Sequence, residues 1–453
     1  MSDIKRKAQS KAAAGACAVL IGIAASPAAL ATDGYFAHGY GMKSLGMGGA
    51  SVARTDDAFG GANNPAQGVF VGDRLDLGVS YFQPTRGAER SGATIAPLDG
   101  AVDSQSKQFW IPEFGYNKML RPDLALGLSV YGNGGMDTDY LQGSFGCPNP
   151  RTGAFFTGNM LCGQGSLGQD LLQLVIAPTA AYEVVPDHSI GVSPLITIQR
   201  FKLEGLQYFA PFSTAPNSLS NNGNDYSRGI GVRVGYLGKI SPFISIGAQY
   251  ATKTYMSKFS KYQGVFAQQG GFDLPSNFTV GAQLHPTSSW TVALDYERIM
   301  YGDVPSIGNA SSLTLQCAAG NVSDCLGGSN GAGFGWQNVN VFKVGVEYVL
   351  NPALTLRGGY NHSDNPIRSQ DVTPNIIAPG VVQDHFTLGL THPFGGHGSE
   401  VTAAAMYAPS KSVTGSSLFN PIFQGLAGIP NAGGTERIHL SELLFGVAWG
   451  KKF

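Results

Sequence analysis

The chain has 453 residues, of which 13% are charged and 43% hydrophobic, with 63 glycines and a formal net charge of −1. Charge this sparse, about half the usual share, and roughly double the usual glycine exclude an ordinary soluble globular protein, while the apolar fraction is too low for a bundle of membrane helices. A transmembrane β-barrel reconciles these figures, because only alternate residues of each strand face lipid and neutral Ser, Thr, Asn, Gln and Gly can build much of the other face.

Residues 1–31 read as a secretory signal peptide. Lys5, Arg6, Lys7 and Lys11 form a basic start, Ala12 to Ala25 is an apolar core too short to span a bilayer, and Ala29-Leu30-Ala31 is a small-residue cleavage site. Its removal leaves a mildly acidic chain with nothing to attract nucleic acid. Downstream there is no run of 18 apolar residues, hence no transmembrane helix.

Residues 32–72 have neither a period-2 run long enough for a strand nor a capped helix of ordinary length. Glycines at 39, 41, 46, 48, 49, 60 and 61 allow tight, left-handed and closely packed backbone. A compact, mostly irregular plug is expected there, followed by a barrel over 73–453.

The first strand-like run is Leu75 to Tyr81, with Leu75, Leu77, Val79 and Tyr81 on one face. Thirteen further runs start near Gln108, Asp123, Gln169, Ser189, Ser227, Phe243, Ser276, Ser289, Trp336, Ala353, Val382, Ser399 and Glu436. Alternation is clear in Leu124, Leu126, Leu128, Val130 and in Trp290, Val292, Leu294, Tyr296. Lengths of about 10 to 16 residues suit tilted membrane-crossing strands. The third run is expected to end at Gly132-Asn133-Gly134-Gly135, where glycine weakens a ladder. The gaps alternate strictly, long and Gly/Asn/Ser-rich after odd runs, short after even ones, as extracellular loops and periplasmic turns of an outer-membrane barrel do. The fold class expected is therefore all-β: a fourteen-stranded antiparallel transmembrane β-barrel with a small N-terminal hatch plugging the lumen.

Cys147 and Cys162 share one long gap, and Cys317 and Cys325 another. In an oxidising compartment this even count suggests two local disulfides, each worth about 3 kcal/mol by loop-closure entropy. At the C-terminus Leu443, Phe445, Val447, Trp449, Lys451 and Phe453 share one face. A terminal aromatic ending an alternating strand resembles the signal that the barrel assembly machinery reads.

No catalytic or cofactor constellation stands out. The eight histidines are scattered, with no H-E-x-x-H and no G-x-S-x-G, so no enzyme, metal or cofactor is expected. A surface enzyme or adhesin, and a general porin for polar solutes, remain the rival readings.

Gly46-Met47-Gly48-Gly49-Ala50, then Asp56-Asp57-Ala58, then Asn64-Pro65-Ala66 lie between the exported N-terminus and the first strand. That order resembles the hatch of FadL-type outer-membrane transporters for long-chain fatty acids and aromatic hydrocarbons. The resemblance implies a monomer in the bacterial outer membrane, among phospholipid and lipopolysaccharide, that takes up hydrophobic small molecules and releases them sideways beside a kinked third strand. It places ligand contacts at Tyr35, Phe36 and Tyr40 and the lateral opening at Gly132, Asn133, Gly134 and Gly135. Asn64-Pro65-Ala66 either touches ligand or only shapes the hatch. A fatty acid would need a buried Arg or Lys for its carboxylate. Arg200, Lys202, Arg233, Lys253 and Arg357 lie in expected strands, with their facing undetermined.

Overall fold

The computed structural model describes residues 33–149, 154–395 and 398–453, so the expected signal peptide lies outside the described residues. Fourteen long antiparallel strands close into a barrel. They are β1 Arg74–Ser91, β2 Phe109–Arg121, β3 Leu124–Tyr140, β4 Leu167–Val185, β5 His188–Glu204, β6 Asp225–Ser241, β7 Ile244–Ala251, β8 Asn277–Thr287, β9 Trp290–Ile299, β10 Val339–Asn351, β11 Leu354–Ser363, β12 Asp384–Phe394, β13 Ser399–Ser416 and β14 Thr435–Lys452. Each begins within three residues of its sequence-based start. The ring closes where β14 pairs with β1 from Arg74↔Lys452 to Ser91↔Thr435.

The period-2 pattern sorts side chains as expected for a wall between lipid and lumen. On β9, Trp290 and Leu294 are exposed, whereas Thr291, Ala293 and Asp295 are buried. On β14, Phe445 and Val447 face out while Glu442 and Leu444 face in. The lumen is not built from neutral groups alone: Arg233, Asp295, Glu297, Lys343 and Arg357 are buried on the inner face.

Two expectations need correction. Strand length runs from 8 residues in β7 to 19 in β4, a wider spread than 10 to 16. The third strand does not end at Gly132–Gly135; it continues to Tyr140, with the register against β4 shifting between Gly132 and Gly134. The glycines make a bulge inside the strand, since one extra residue bends a strand without ending it.

Long connections (92–108, 141–166, 205–224, 252–276, 300–338, 364–383 and 417–434) gather at one end and short turns at the other. The loops build a layer of their own, with a hairpin pairing 145–148 with 155–158, several short helical turns and the helix α1, Phe419–Ala427. Disulfides join Cys147 to Cys162 and Cys317 to Cys325 within this layer.

Candidate functional site

The segment 33–72 is almost wholly buried against the inner faces of the strands. Its only regular structure is three short turns, Met42–Leu45, Pro65–Gln67 and Gly68–Val71. Charged pairs fasten it to the wall: Lys43 to Glu400 at 2.7 Å and Arg54 to Glu347 at 2.9 Å, with Arg357 joining Glu347 at 2.7 Å. Breaking such buried pairs costs about 3–5 kcal/mol each, because the surviving charge stays desolvated.

Asn64-Pro65-Ala66 sits against β4, β5 and β6. The Asn64 side chain accepts from the Ala66 N–H at 3.0 Å and donates to the carbonyls of Val52 and Tyr236 at 2.7 and 2.9 Å. Ser189 donates to the Ala66 carbonyl at 2.7 Å. The wall leaves room with glycine: a Cβ on Gly191 would lie 2.3 Å from Pro65, and one on Gly235 2.0 Å from the Asn64 oxygen. The motif lines none of the cavities described below.

At the other end of the segment, Asp33 and Phe36 close a tight turn and Phe36 then bridges to Gly134 of β3, with the Ala37 N–H donating to the Asn133 carbonyl at 3.2 Å. The Tyr301 hydroxyl, from the loop after β9, donates to the Asp33 carbonyl and accepts from the N–H groups of Tyr35 and Phe36 at 3.2 and 3.3 Å. The Tyr35 ring packs on Phe272, Tyr301 and Trp336, with centroids 6.3, 5.2 and 5.9 Å away.

Three internal cavities matter here: an outer one among the loops, an inner one beside the N-terminal segment, and a polar one in the lumen bordered by Arg233, Asp295, Glu297 and Lys343. The outer one lies where six loops converge and is lined by Leu161, Leu206, Phe209, Phe266, Phe334 and Ile377 among others. Leu161 is next to Cys162 and Leu326 is next to Cys325, so both disulfides stiffen its walls. The inner one lies between segment 37–45 and the wall, against Ser80, Ile111, Glu113, Tyr131, Gly132 and Leu444.

The wall beside the inner cavity is incomplete. The β2–β3 ladder stops at Phe114↔Val130. Beyond it, Phe109 to Glu113 pair only with β1, and Tyr131 to Tyr140 pair with β4. Contact between the two sides resumes where the Gln105 N–H donates to the Asp139 carbonyl at 2.7 Å. Within this gap the barrel partner of β3 is replaced by Phe36 and Ala37 of the N-terminal segment.

The structure thus brings Tyr35, Phe36 and Tyr40 together with Gly132–Gly135. Tyr40 donates to the Asn133 carbonyl at 3.2 Å and lines the inner cavity. Tyr35 is fully buried among its aromatic neighbours and lines neither that cavity nor the outer one. Phe453 is exposed at the turn end, its N–H donating to Asp73 at 3.0 Å. Sequence reasoning missed Tyr301, Phe272, Trp336, Glu113 and Tyr131. Only the loop aromatics carried a signal, as large apolar residues such as Phe334 and Trp336 inside Gly/Asn/Ser-rich stretches.

A family model described as outer membrane protein transport protein (OMPP1/FadL/TodX) matches residues 18–417. The chain belongs to this family. FadL/TodX membership places it in the bacterial outer membrane as a transport protein. The fold is shared with the Pseudomonas putida toluene transporter TodX (TM-score 0.63, 19% identity, covering 93% of this chain and 100% of that one). It is also shared with a Pseudomonas aeruginosa FadL homologue (0.66, 13%, 93% and 100%) and the Ralstonia pickettii toluene transporter TbuX (0.59, 17%, 92% and 99%). No curated protein matches the chain.

Proposed function

We propose that this FadL/TodX-family protein is a passive channel for hydrophobic small molecules, which enter between the loops and leave sideways into the bilayer through the gap between β2 and β3. Residues 32–72 act as its hatch. The observation that carries the reading is the pairing of a filled lumen with an open wall. The hatch obstructs the axial path, while the β2–β3 ladder is missing beside the inner cavity. A hydrophobic solute gains nothing by entering the aqueous periplasm directly and gains a great deal by entering lipid, at about 25 cal/mol per Å² of apolar surface. The structural neighbours described as toluene transporters favour a cargo of this kind. A general porin fits less well, since the outer cavity is walled by Leu, Ile and Phe where a pore for polar solutes needs water and charge.

Tyr40 and Phe36 border the exit, Gly132–Gly135 shape it, and Phe453 is the proposed mark for the assembly machinery. Gly132→Val, which adds bulk to a residue lining the inner cavity, tests the route. Uptake of labelled toluene by cells carrying the variant is expected to fall to that of cells lacking the protein, with heat-modifiability of the barrel unchanged. Full uptake through a folded Gly132→Val barrel would move the exit elsewhere.

A further inference from the structure

Resting on that channel reading, we infer that the cargo is uncharged and apolar, and that the cavities turn away carboxylates: hydrocarbons pass and ionised fatty acids do not.

The outer cavity has no Lys, Arg or His in its lining. Three of its four lining hydroxyls, all but that of Thr314, are already committed. Ser306 donates to the Gly271 carbonyl, Ser311 to Asp371 and Thr373 to Glu436. A ligand carboxylate there would find neither a counter-ion nor a spare hydroxyl proton from these three. Two cations stand behind the lining, each already paired: Arg90 with Glu436 at 3.0 Å through Nε, beyond Thr373, and Arg368 with Asp371 at 2.9 Å, beyond Ser311. The Arg90–Glu436 pair is neutral as a unit, and removing Arg90 from it would strand a fully buried glutamate.

The inner cavity is no more welcoming. Its lining also lacks Lys and Arg, and its one acidic side chain is Glu113, one oxygen of which accepts from Gly41 while the other has no partner. His38 lines it too, but burial, reinforced by His385 and Lys343, holds that ring well below the ordinary histidine range, hence neutral. Lys343 and Arg233 line a small polar cavity of the lumen that shares Ala37, Gly39 and Tyr40 with the inner one, where Asp295 and Glu297 stand beside them. Lys343 is bound to Glu297 and the His38 carbonyl, and Arg233 to the carbonyls of Gly61 and Ala62. Arg86 is a further buried cation, its Nε without a partner. It donates to the Ser106 carbonyl, stands over the Phe109 ring and lines none of the three cavities. A carboxylate buried without a partner is penalised heavily, whereas an apolar group meets an almost wholly apolar lining in the outer cavity.

Two solutes of the same length separate the possibilities: laurate and methyl laurate, measured with toluene as initial channel-dependent uptake, the difference between cells with and without the protein. At pH 8, toluene and methyl laurate should enter and laurate should be slower by roughly 100-fold or more. Laurate uptake should recover as pH falls toward about 5, where its own carboxyl protonates, with the ester unaffected. Comparable uptake of laurate and its ester at pH 8 overturns the inference and leaves the channel standing. Loss of that laurate uptake in Arg86→Ala would then mark Arg86 as the carboxylate site. If neither toluene nor the ester enters above background, the channel reading fails, and this inference with it.

Discussion

Phe36 of the hatch pairs with Gly134 of β3 as an antiparallel bridge, in the stretch where β3 has lost its neighbour β2. The hatch therefore completes, with two residues, a wall that the barrel leaves open. A Cβ on Gly134 would lie 1.8 Å from the Tyr35 carbonyl oxygen, which is backbone and has nowhere to yield. Gly134→Val should consequently expel residues 33–37 from their seat, the opposite of the closure expected from Gly132→Val. Limited proteolysis near residue 36 and a rise in channel-dependent uptake are the expected outcomes, with heat-modifiability retained. Wild-type protection of the segment would disprove the fit.

Tyr301 pins the same segment from the opposite side. Tyr301→Phe keeps the aromatic packing but strands the Asp33 carbonyl and the Tyr35 N–H. At about 1–3 kcal/mol for each unmet buried group, partly relieved by water, local opening should become easier by about 3 kcal/mol. Amide exchange of residues 33–37 should accelerate by roughly 100-fold, while the strand ladders keep their protection. Unaltered exchange would mean that the ring, not the hydroxyl, holds the segment.

Asn64→Ala removes a cap and two carbonyl partners from a fully buried turn. A loss of about 2–4 kcal/mol in hatch docking is expected. It should appear as protease sensitivity of 33–72 in a barrel that still resists detergent. The turn lines none of the cavities, so a variant that keeps its hatch seated yet changes solute preference would contradict this structural role.

The hatch also carries a pH dependence. Burial raises the Asp57 carboxyl above its ordinary value of 3.8, and the neighbouring Asp56 and Asp76 raise it further. The folded hatch therefore holds a proton that the undocked segment releases as pH rises past about 4. At Asp57 the docked state binds more protons than the free one, so this group's contribution to docking falls with rising pH, from about 4 until the raised carboxyl itself ionises; Asp33, which burial raises to about 7, acts in the same direction, and His38, held below its ordinary range, opposes both. Hatch protection from exchange should be greater at pH 5 than at pH 8. Asp57→Asn, which keeps an acceptor for the Phe59 N–H (3.1 Å in the wild type), should flatten that profile. A slope of the same size in the variant would assign it to another group.

The sequence by itself determined the wall. Leu75 to Tyr81, Trp290 to Tyr296 and Leu443 to Phe453 alternate because each residue's choice between lipid and lumen is settled by its own strand, with no knowledge of distant neighbours. The cysteine pairs were legible for the same reason, being only 15 and 8 residues apart. That 33–72 would form no strand and pack irregularly was legible from its glycines and its lack of a period-2 run. Only the tertiary structure decided where the wall is open and what faces the cavities. Gly132–Gly135 announce a weak ladder but not that β3 runs on while β2 parts from it, since a missing pairing belongs to two strands at once. Tyr301 meets Tyr35 across 266 residues of sequence. Ser306 and Thr373 look like polar lining in one dimension, and are silent toward a ligand because Gly271 and Glu436, each distant along the chain, already take their protons.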